Sequence, residues 1–337
     1  MSSSNNRPIF VVSAPRSGST LFRLVLDAHP NIAVPPPAWL YELIRPFVYS
    51  YGTPMSDENF LELCEDSLKT PTITRWNLGV DPATVASQCE TKDFKGIFSL
   101  LHRIYADSTG KQRWGEKTPR NSFWIDEILE DFPDAQFLHI VRDGRDMAID
   151  IADSPQMRPY SLYSGATVWR RYVKAIRESA SRLNPSQFFE VKYEDMCADP
   201  EAELKKVCAF LGEDYDSVML SHQTSSQASG WASDPQHAKS GRPITTDYCE
   251  MYKARLSTTD AGHLESVFAD LLKAYDYPLM GPVEVPERWA SQVLQSDVTT
   301  SPENYNYKAE LVERRMARRE RGVYETENLK SLLLSLV

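Results

Sequence analysis

Long apolar runs are missing from this chain. None of its 337 residues belongs to a stretch approaching the 18 or so apolar residues that a membrane helix needs. The early run Ile9-Phe10-Val11-Val12 is too short for a signal-peptide core, and no basic segment precedes it. The expectation is a soluble, non-secreted, cytoplasmic protein without a membrane partner. Cysteine is sparse: Cys64, Cys89, Cys197, Cys208 and Cys249 are scattered, odd in number and form no Cys-x-x-Cys pair. That pattern excludes a disulfide frame and a zinc site, and fits reduced thiols in a cytosol-like compartment. Positive charge is in deficit, with 37 Lys and Arg against 47 Asp and Glu for a net charge of −10. A general nucleic-acid or anionic-membrane surface is therefore disfavoured, and any anion site must be built locally against the overall field.

What remains is globular. The 42% apolar and 25% charged fractions exclude collagen, coiled coil and wholesale disorder. The length allows one large domain or two small ones.

Pro8-Ile9-Phe10-Val11-Val12-Ser13 predicts a buried strand. A loop of small residues follows, Ala14-Pro15-Arg16-Ser17-Gly18-Ser19-Thr20, and then a helical stretch from Leu21 to Ala28 that Pro30 stops. Residues 31–60 are rich in Pro and aromatics. Helical patterns run over Phe60–Leu68, Phe94–Asp107, Ser161–Arg182, Glu201–Leu211 and Ala261–Tyr275. Further strands are expected at Gln136–Val141 and Phe188–Tyr193. Strands alternating with helices indicate an α/β fold with a mainly parallel sheet. Ser221–Asp247 turns Ser-, Gln- and Gly-rich and reads as a flexible loop, a candidate lid. Residues 282–307 read as irregular, and Lys308–Arg321 as a solvated or docked C-terminal helix with six basic and three acidic side chains. No internal repeat is present.

Strand, small-residue loop and helix aim backbone N–H groups and the positive helix end at one spot, which suits phosphate or a similar oxyanion. The loop offers Ser17, Gly18, Ser19 and Thr20, with Arg16 as its charge. It is not a Walker A loop, because Ser13 stands where the first Gly belongs and Ser19 where the Lys belongs. A small-residue loop also serves as a plain tight turn. Two further segments weigh against that reading: Trp114-Gly115-Glu116-Lys117-Thr118-Pro119, read as a charged turn between helices, and Val141-Arg142-Asp143-Gly144-Arg145-Asp146. The second falls at the carboxyl end of a strand, the edge at which open α/β sheets bind ligands.

Together these segments resemble the sulfotransferases. Ala14 to Thr20 is similar to that family's 5′-phosphosulfate loop, and Phe137 to Asp146 to its 3′-phosphate segment. Glu116-Lys117-Thr118-Pro119 stands where the family has its catalytic Lys. Val191 to Met196, Ala198-Asp199-Pro200 and Phe210-Leu211-Gly212 resemble its later segments. The likeness runs over about residues 8–280 and is nearest to the bacterial and tyrosylprotein branches.

The resemblance implies a P-loop-like three-layer α/β fold with helical insertions, forming a domain over 1–280 with 281–337 as an irregular segment and basic arm. It implies 3′-phosphoadenosine 5′-phosphosulfate (PAPS) as donor and no metal; the acceptor expected here is a small molecule. Arg16 and the loop N–H groups would hold the 5′-phosphosulfate, Lys117 the bridging oxygen, and Arg142 the 3′-phosphate. Tyr193 matches a residue near the adenine, and Arg242 a basic position in the closing loop.

Three features depart from the family pattern. Asp150 stands where a Ser normally follows the 3′-phosphate Arg by eight residues. A carboxylate there is unfavourable unless it turns away, with Ser154 or a lid serine in its stead. Pro36-Pro37-Ala38 replaces the Glu pair of the tyrosylprotein enzymes. Glu42, among Trp39, Leu43 and Pro46, is the nearest carboxylate and the candidate base. His102 is the other candidate, although a core histidine explains it better. Lastly, the secretory signal expected of the tyrosylprotein branch is not seen. The alternatives are a P-loop nucleotide kinase and a degenerate module that binds adenosine 3′,5′-bisphosphate (PAP) without turnover.

Overall fold

A computed structural model describes residues 7–154, 161–225 and 241–281. They fall into two compact units, one of residues 7–35 and 109–281, the other of residues 36–108. The first contains a five-stranded sheet of β1 (Ile9–Val12), β2 (Ile32–Ala33), β3 (Arg113–Glu116), β4 (Gln136–Val141) and β5 (Phe188–Lys192). Its order is β2-β3-β1-β4-β5, with every pairing parallel. Helices in chain order include α1 (Ser19–Asp27), α2 (Leu40–Leu43), α3 (Phe94–Ser108), α4 (Gly144–Asp153), α5 (Leu162–Ala180), α6 (Tyr193–Ala198), α7 (Pro200–Leu211) and α8 (Thr258–Ala274).

Strand alternation sends successive side chains to opposite faces. Ile9 and Val11 of β1 and Leu138 and Ile140 of β4 share one core with Phe22, Val25 and Leu26 of α1 and with Leu204, Val207 and Leu211 of α7. Phe10 and Phe137 point the other way and stack at 5.8 Å, with Trp114 and Phe132 against Phe10. Val141, at the end of β4, packs with Met147, Trp169 and Phe268 from α4, α5 and α8. Both central strands are buried along their whole length, as parallel strands covered on two faces are. The expected α/β architecture with a parallel central sheet is therefore observed. Residues 36–108 form a helical insertion between β2 and β3, with no strand among them. No described helix is long and apolar enough to cross a membrane.

One sequence expectation is corrected. Trp114-Gly115-Glu116 is not a turn between helices but most of β3, a buried strand between β1 and β2. Arg113-Trp114-Gly115-Glu116 has no β-branched residue and two charges, so local pattern could not mark it. Tertiary pairing makes it a strand: a Cβ on Gly115 would come within 3.3 Å of both Val34 and Ile9. Arg113 is made tolerable by Glu213, the Leu211 carbonyl and Gln136. β2, only two residues long, also carries no sequence signature. Part of the expected lid (226–240) and the C-terminal segments from residue 282, including Lys308–Arg321, lie outside the described residues.

The turn after β4 is anchored by charge. Arg145 is fully buried and makes a two-point contact to Asp143 at 3.0 and 2.6 Å. It also donates to Glu265 of α8 at 2.6 Å and to the Pro278 carbonyl at 2.7 Å. The Tyr252 ring lies 3.7 Å from the guanidinium carbon. Removing one member of a buried charge cluster strands the others. Arg145→Met is expected to cost about 3–5 kcal/mol of stability, read as a lowered urea midpoint at unchanged slope. A change below roughly 1 kcal/mol would contradict this anchoring role.

Candidate active site

The loop between β1 and α1 has an unusual backbone. Arg16 has φ +63° and Gly18 φ +83°, both in the left-handed region. Gly18 is the residue preceding α1, and no side chain caps the helix there. The first-turn N–H groups of α1 are thus left for an acceptor outside the helix. Glycine at 18 is required on a second count, since a Cβ there would sit 2.4 Å from Cδ2 of Tyr193. Ser122 pins the base of the loop, accepting from the Ser13 N–H at 3.1 Å and donating to the Ser13 carbonyl at 3.2 Å. The Ser17 hydroxyl is buried with no partner among the described residues.

Lys117 follows β3 directly, so strand pairing carries it to the loop. Its side chain is 4% exposed, and Nζ donates to Thr20 Oγ1 at a long 3.4 Å. Burial pushes its pKa down to about 7, Arg23 adds to that shift, and Glu116 opposes it. Arg23, on α1 and fully buried, donates to the Val34 carbonyl at 2.8 Å. It is a site residue that the sequence reading missed. Its signal was available: a cation within the apolar helix pattern Leu21–Ala28.

Arg142, at the end of β4, is held from several sides. Nη1 donates to the Arg16 carbonyl at 2.9 Å and to Asp150 Oδ2 at 2.6 Å. Nη2 donates to the Tyr248 carbonyl at 2.7 Å, and the guanidinium lies 5.0 Å from the centre of the Tyr193 ring. Nε is buried without a partner among the described residues. Tyr193 thus wedges between Gly18 and Arg142 and joins the β1–α1 loop to the end of β4. Asp150 does not turn away, contrary to expectation; it forms an ion pair with Arg142. Ser154 caps the end of α4 through its N–H to the Ile151 carbonyl and is not among Arg142's partners. Arg242 is exposed and donates to the Tyr248 hydroxyl at 3.3 Å, so it shares Tyr248 with Arg142. The Tyr248 carbonyl could not be found from sequence, because any residue supplies one.

In the second unit, α2 begins directly after Trp39, whose φ is +61°. Glu42 is 3% exposed on that helix. His102 is a core histidine. It lies between the Phe98 and Trp76 rings, Nδ1 contacts the Phe98 carbonyl at 2.8 Å, and burial lowers its pKa to about 3. Among the described residues no group of three or more His, Cys, Asp or Glu could hold a metal ion.

In chemical terms, cationic side chains gather at two positions: Lys117 with Arg16 near the start of α1, and Arg142 tied to the same loop. Buried Ser17 Oγ and Arg142 Nε with no partner, and the glycine cradle at 18, fit a ligand bearing two separated anionic groups.

Comparison with known proteins shows the family. A family model described as "Sulfotransferase family" matches residues 8–217. A putative protein-tyrosine sulfotransferase of Caenorhabditis briggsae is 23% identical over 220 residues, 64% of this chain and 68% of that protein. An omega-hydroxy-beta-dihydromenaquinone-9 sulfotransferase of Mycobacterium tuberculosis is 32% identical over 108 residues, 28% of each. The chain thus spans well under half the length of that mycobacterial relative. Among solved structures, the sulfotransferase domain from the Synechococcus PCC 7002 olefin synthase superposes with a TM-score of 0.59 at 22% identity. That match covers 83% of this chain and 98% of the domain, a likeness of fold.

The Lys117 environment has a measurable consequence. A folded-state pKa near 7, against 10.5 for the free side chain, means the folded protein binds fewer protons than the unfolded chain between those values. Stability therefore rises across that window, and the full burial cost is present below pH 7. Lys117→Met is expected to be more stable than wild type by about 3–5 kcal/mol at pH 6.5, with the gap closing toward pH 10. Urea denaturation of both proteins across that range is the measurement; a gap independent of pH would refute the assignment.

Proposed function

The chain belongs to the sulfotransferase family, and on that premise we propose that it moves a sulfuryl group from PAPS to a hydroxyl or nitrogen of a small-molecule acceptor. The observation that carries this reading is the buried Lys117 against the uncapped start of α1, with Arg142 tied to the same loop through the Arg16 carbonyl.

PAPS supplies an activated sulfuryl group whose departure leaves negative charge on the bridging oxygen. Such transfer depends on in-line positioning and charge stabilisation more than on covalent help from the protein. Arg16, Ser17, Ser19, Thr20 and the N–H groups at Gly18 and beyond hold the 5′ end. Lys117 aims its ammonium at the oxygen where charge builds. Near pH 7 burial leaves the amine only partly protonated in the free protein, and an anionic partner raises its affinity for the proton. Arg142 binds the 3′-phosphate through its fork of donors. Tyr193 keeps Gly18 and Arg142 in register, beside the adenine, and Arg242 closes over the donor from the Tyr248 segment. Glu42 takes the acceptor's proton as the S–O bond forms. The five free thiols support a reducing, cytosol-like compartment.

A tyrosine side chain of a protein is the second acceptor reading, favoured by the Caenorhabditis relative. The small-molecule reading draws on the mycobacterial relative, whose name specifies a hydroxylated quinone. The test is incubation with PAPS and a panel of hydroxylated metabolites and tyrosine peptides, read by mass spectrometry for a gain of one SO3. A gain only on peptides overturns the small-molecule acceptor. PAP binding with no transfer to any acceptor favours a module without turnover. Phosphoryl transfer from ATP with Mg²⁺ favours a nucleotide kinase.

Two variants separate binding from chemistry. Lys117→Met is expected to lower kcat about a hundredfold while PAP affinity changes only a few-fold, since the charge matters most in the transition state. Retained turnover would make Lys117 structural. Glu42→Gln is expected to lower kcat by about 10²–10⁴-fold and to remove the acid limb of the pH–rate profile. An unchanged rate and profile would eliminate Glu42 as the base.

A further inference from the structure

Arg142 needs no help from Asp150 to be oriented. The Arg16 and Tyr248 carbonyls hold two sides of the guanidinium at 2.9 and 2.7 Å, and Tyr193 supports its face. Yet Asp150 reaches the same guanidinium at 2.6 Å, and both side chains are nearly buried, at 11% and 4% exposure. Asp150 lies one helical turn beyond Asp146 on α4, so the two carboxylates share a face. Asp146 Oδ1 accepts from the Tyr252 N–H at 2.8 Å, and its charge attracts Arg142 without a hydrogen bond to it. Arg255 hydrogen-bonds to Asp153 at 2.7 Å and attracts Asp150 without a hydrogen bond to it. Asp150 is thus an anion set against a cation whose geometry is already fixed.

We propose that Asp150 is a resident counter-ion that competes with the donor's 3′-phosphate for Arg142, and so sets how much of the donor's affinity that phosphate contributes. This rests on the donor reading above. A phosphate approaching the open Nε edge of Arg142 meets a carboxylate at hydrogen-bond distance from Nη1 of the same guanidinium, and must displace it or bind beside a like charge. The net gain from the second phosphate is what remains after the existing ion pair is lost. The same competition acts on PAP, which keeps both phosphates after transfer, and so speeds its release. Asp150 is a specificity-determining residue in this scheme and touches no reacting atom.

The test is calorimetric titration of PAP and of adenosine 5′-monophosphate into wild type, Asp150→Ser and Asp150→Asn at fixed salt and pH. Both substitutions are expected to tighten PAP roughly 10–100-fold, as expected when one close like charge is removed, and to leave the monophosphate within about twofold. Asparagine keeps the shape of the side chain, so it reports even where serine disturbs folding. If Asp150 served to orient Arg142, both substitutions would weaken PAP; that result, or unchanged PAP affinity in both, overturns the proposal. Equal tightening of PAP and the monophosphate also overturns it, because the effect then does not reside at the second phosphate. Absence of PAP binding in all three proteins overturns the donor reading, and this inference with it.

Discussion

Arg145 is charged, fully buried and neutralised entirely inside the protein, by Asp143 two residues before it and Glu265 far along the chain. Much of the site's geometry follows from that cluster. Asp143 also accepts from the Arg145 N–H at 2.9 Å, so the turn after β4 is closed by side chains as well as by the helix it starts. The Asp143 N–H in turn donates to Glu194 at 3.0 Å, and Tyr277 holds the other Glu194 oxygen at 2.8 Å. One residue earlier, Arg142 emerges from this braced turn and can only point back toward the β1 loop. The ends of β4 and β5 and the segment after α8 are therefore fixed together by charges that water does not reach. Ionic strength in solution screens such contacts far less than surface pairs.

The second theme is positive charge kept against an acidic whole. A chain of net charge −10 gathers Arg16, Arg23, Lys117 and Arg142 around the carboxyl edge of its sheet. Each is handled differently. Arg16 stands on a strained, left-handed backbone; Arg23 is sealed against a carbonyl; Lys117 is desolvated until its charge is in balance near neutrality. Arg142 keeps a carboxylate at hand. An isolated buried cation is costly, and a protein retains such costs at sites that a ligand later relieves. The electrostatic cost of the four cations is met inside the fold in different ways, with carbonyls, a carboxylate or a lowered pKa.

Some of this was legible in the amino-acid sequence because its physical causes are local. The apolar runs of β1 and β4, the helix stops, the small-residue loop and the segment around Arg142 declare themselves within a few residues. Their order was enough for the α/β class, and it singled out the segments of Arg16, Gly18, Lys117 and Arg142, which the fold brings together. Glu42 is buried among its apolar sequence neighbours, and His102 lies in the core, since apolar neighbours in sequence remained neighbours in space. Tertiary structure decided the rest. β3 is a strand because β1 and β2 flank it, although its own residues argue for a turn. Tyr193 underlies Gly18 and Arg142 because β5 pairs with β4, which no local pattern encodes. The direction of Asp150 was misjudged for the same reason: sequence counts a carboxylate as repelling a phosphate, whereas in the fold the nearest charge is the Arg142 guanidinium, and attraction at 2.6 Å sets where the side chain points. Local propensity acts over a few residues, while electrostatic and packing energies depend on distances that only the closed chain defines.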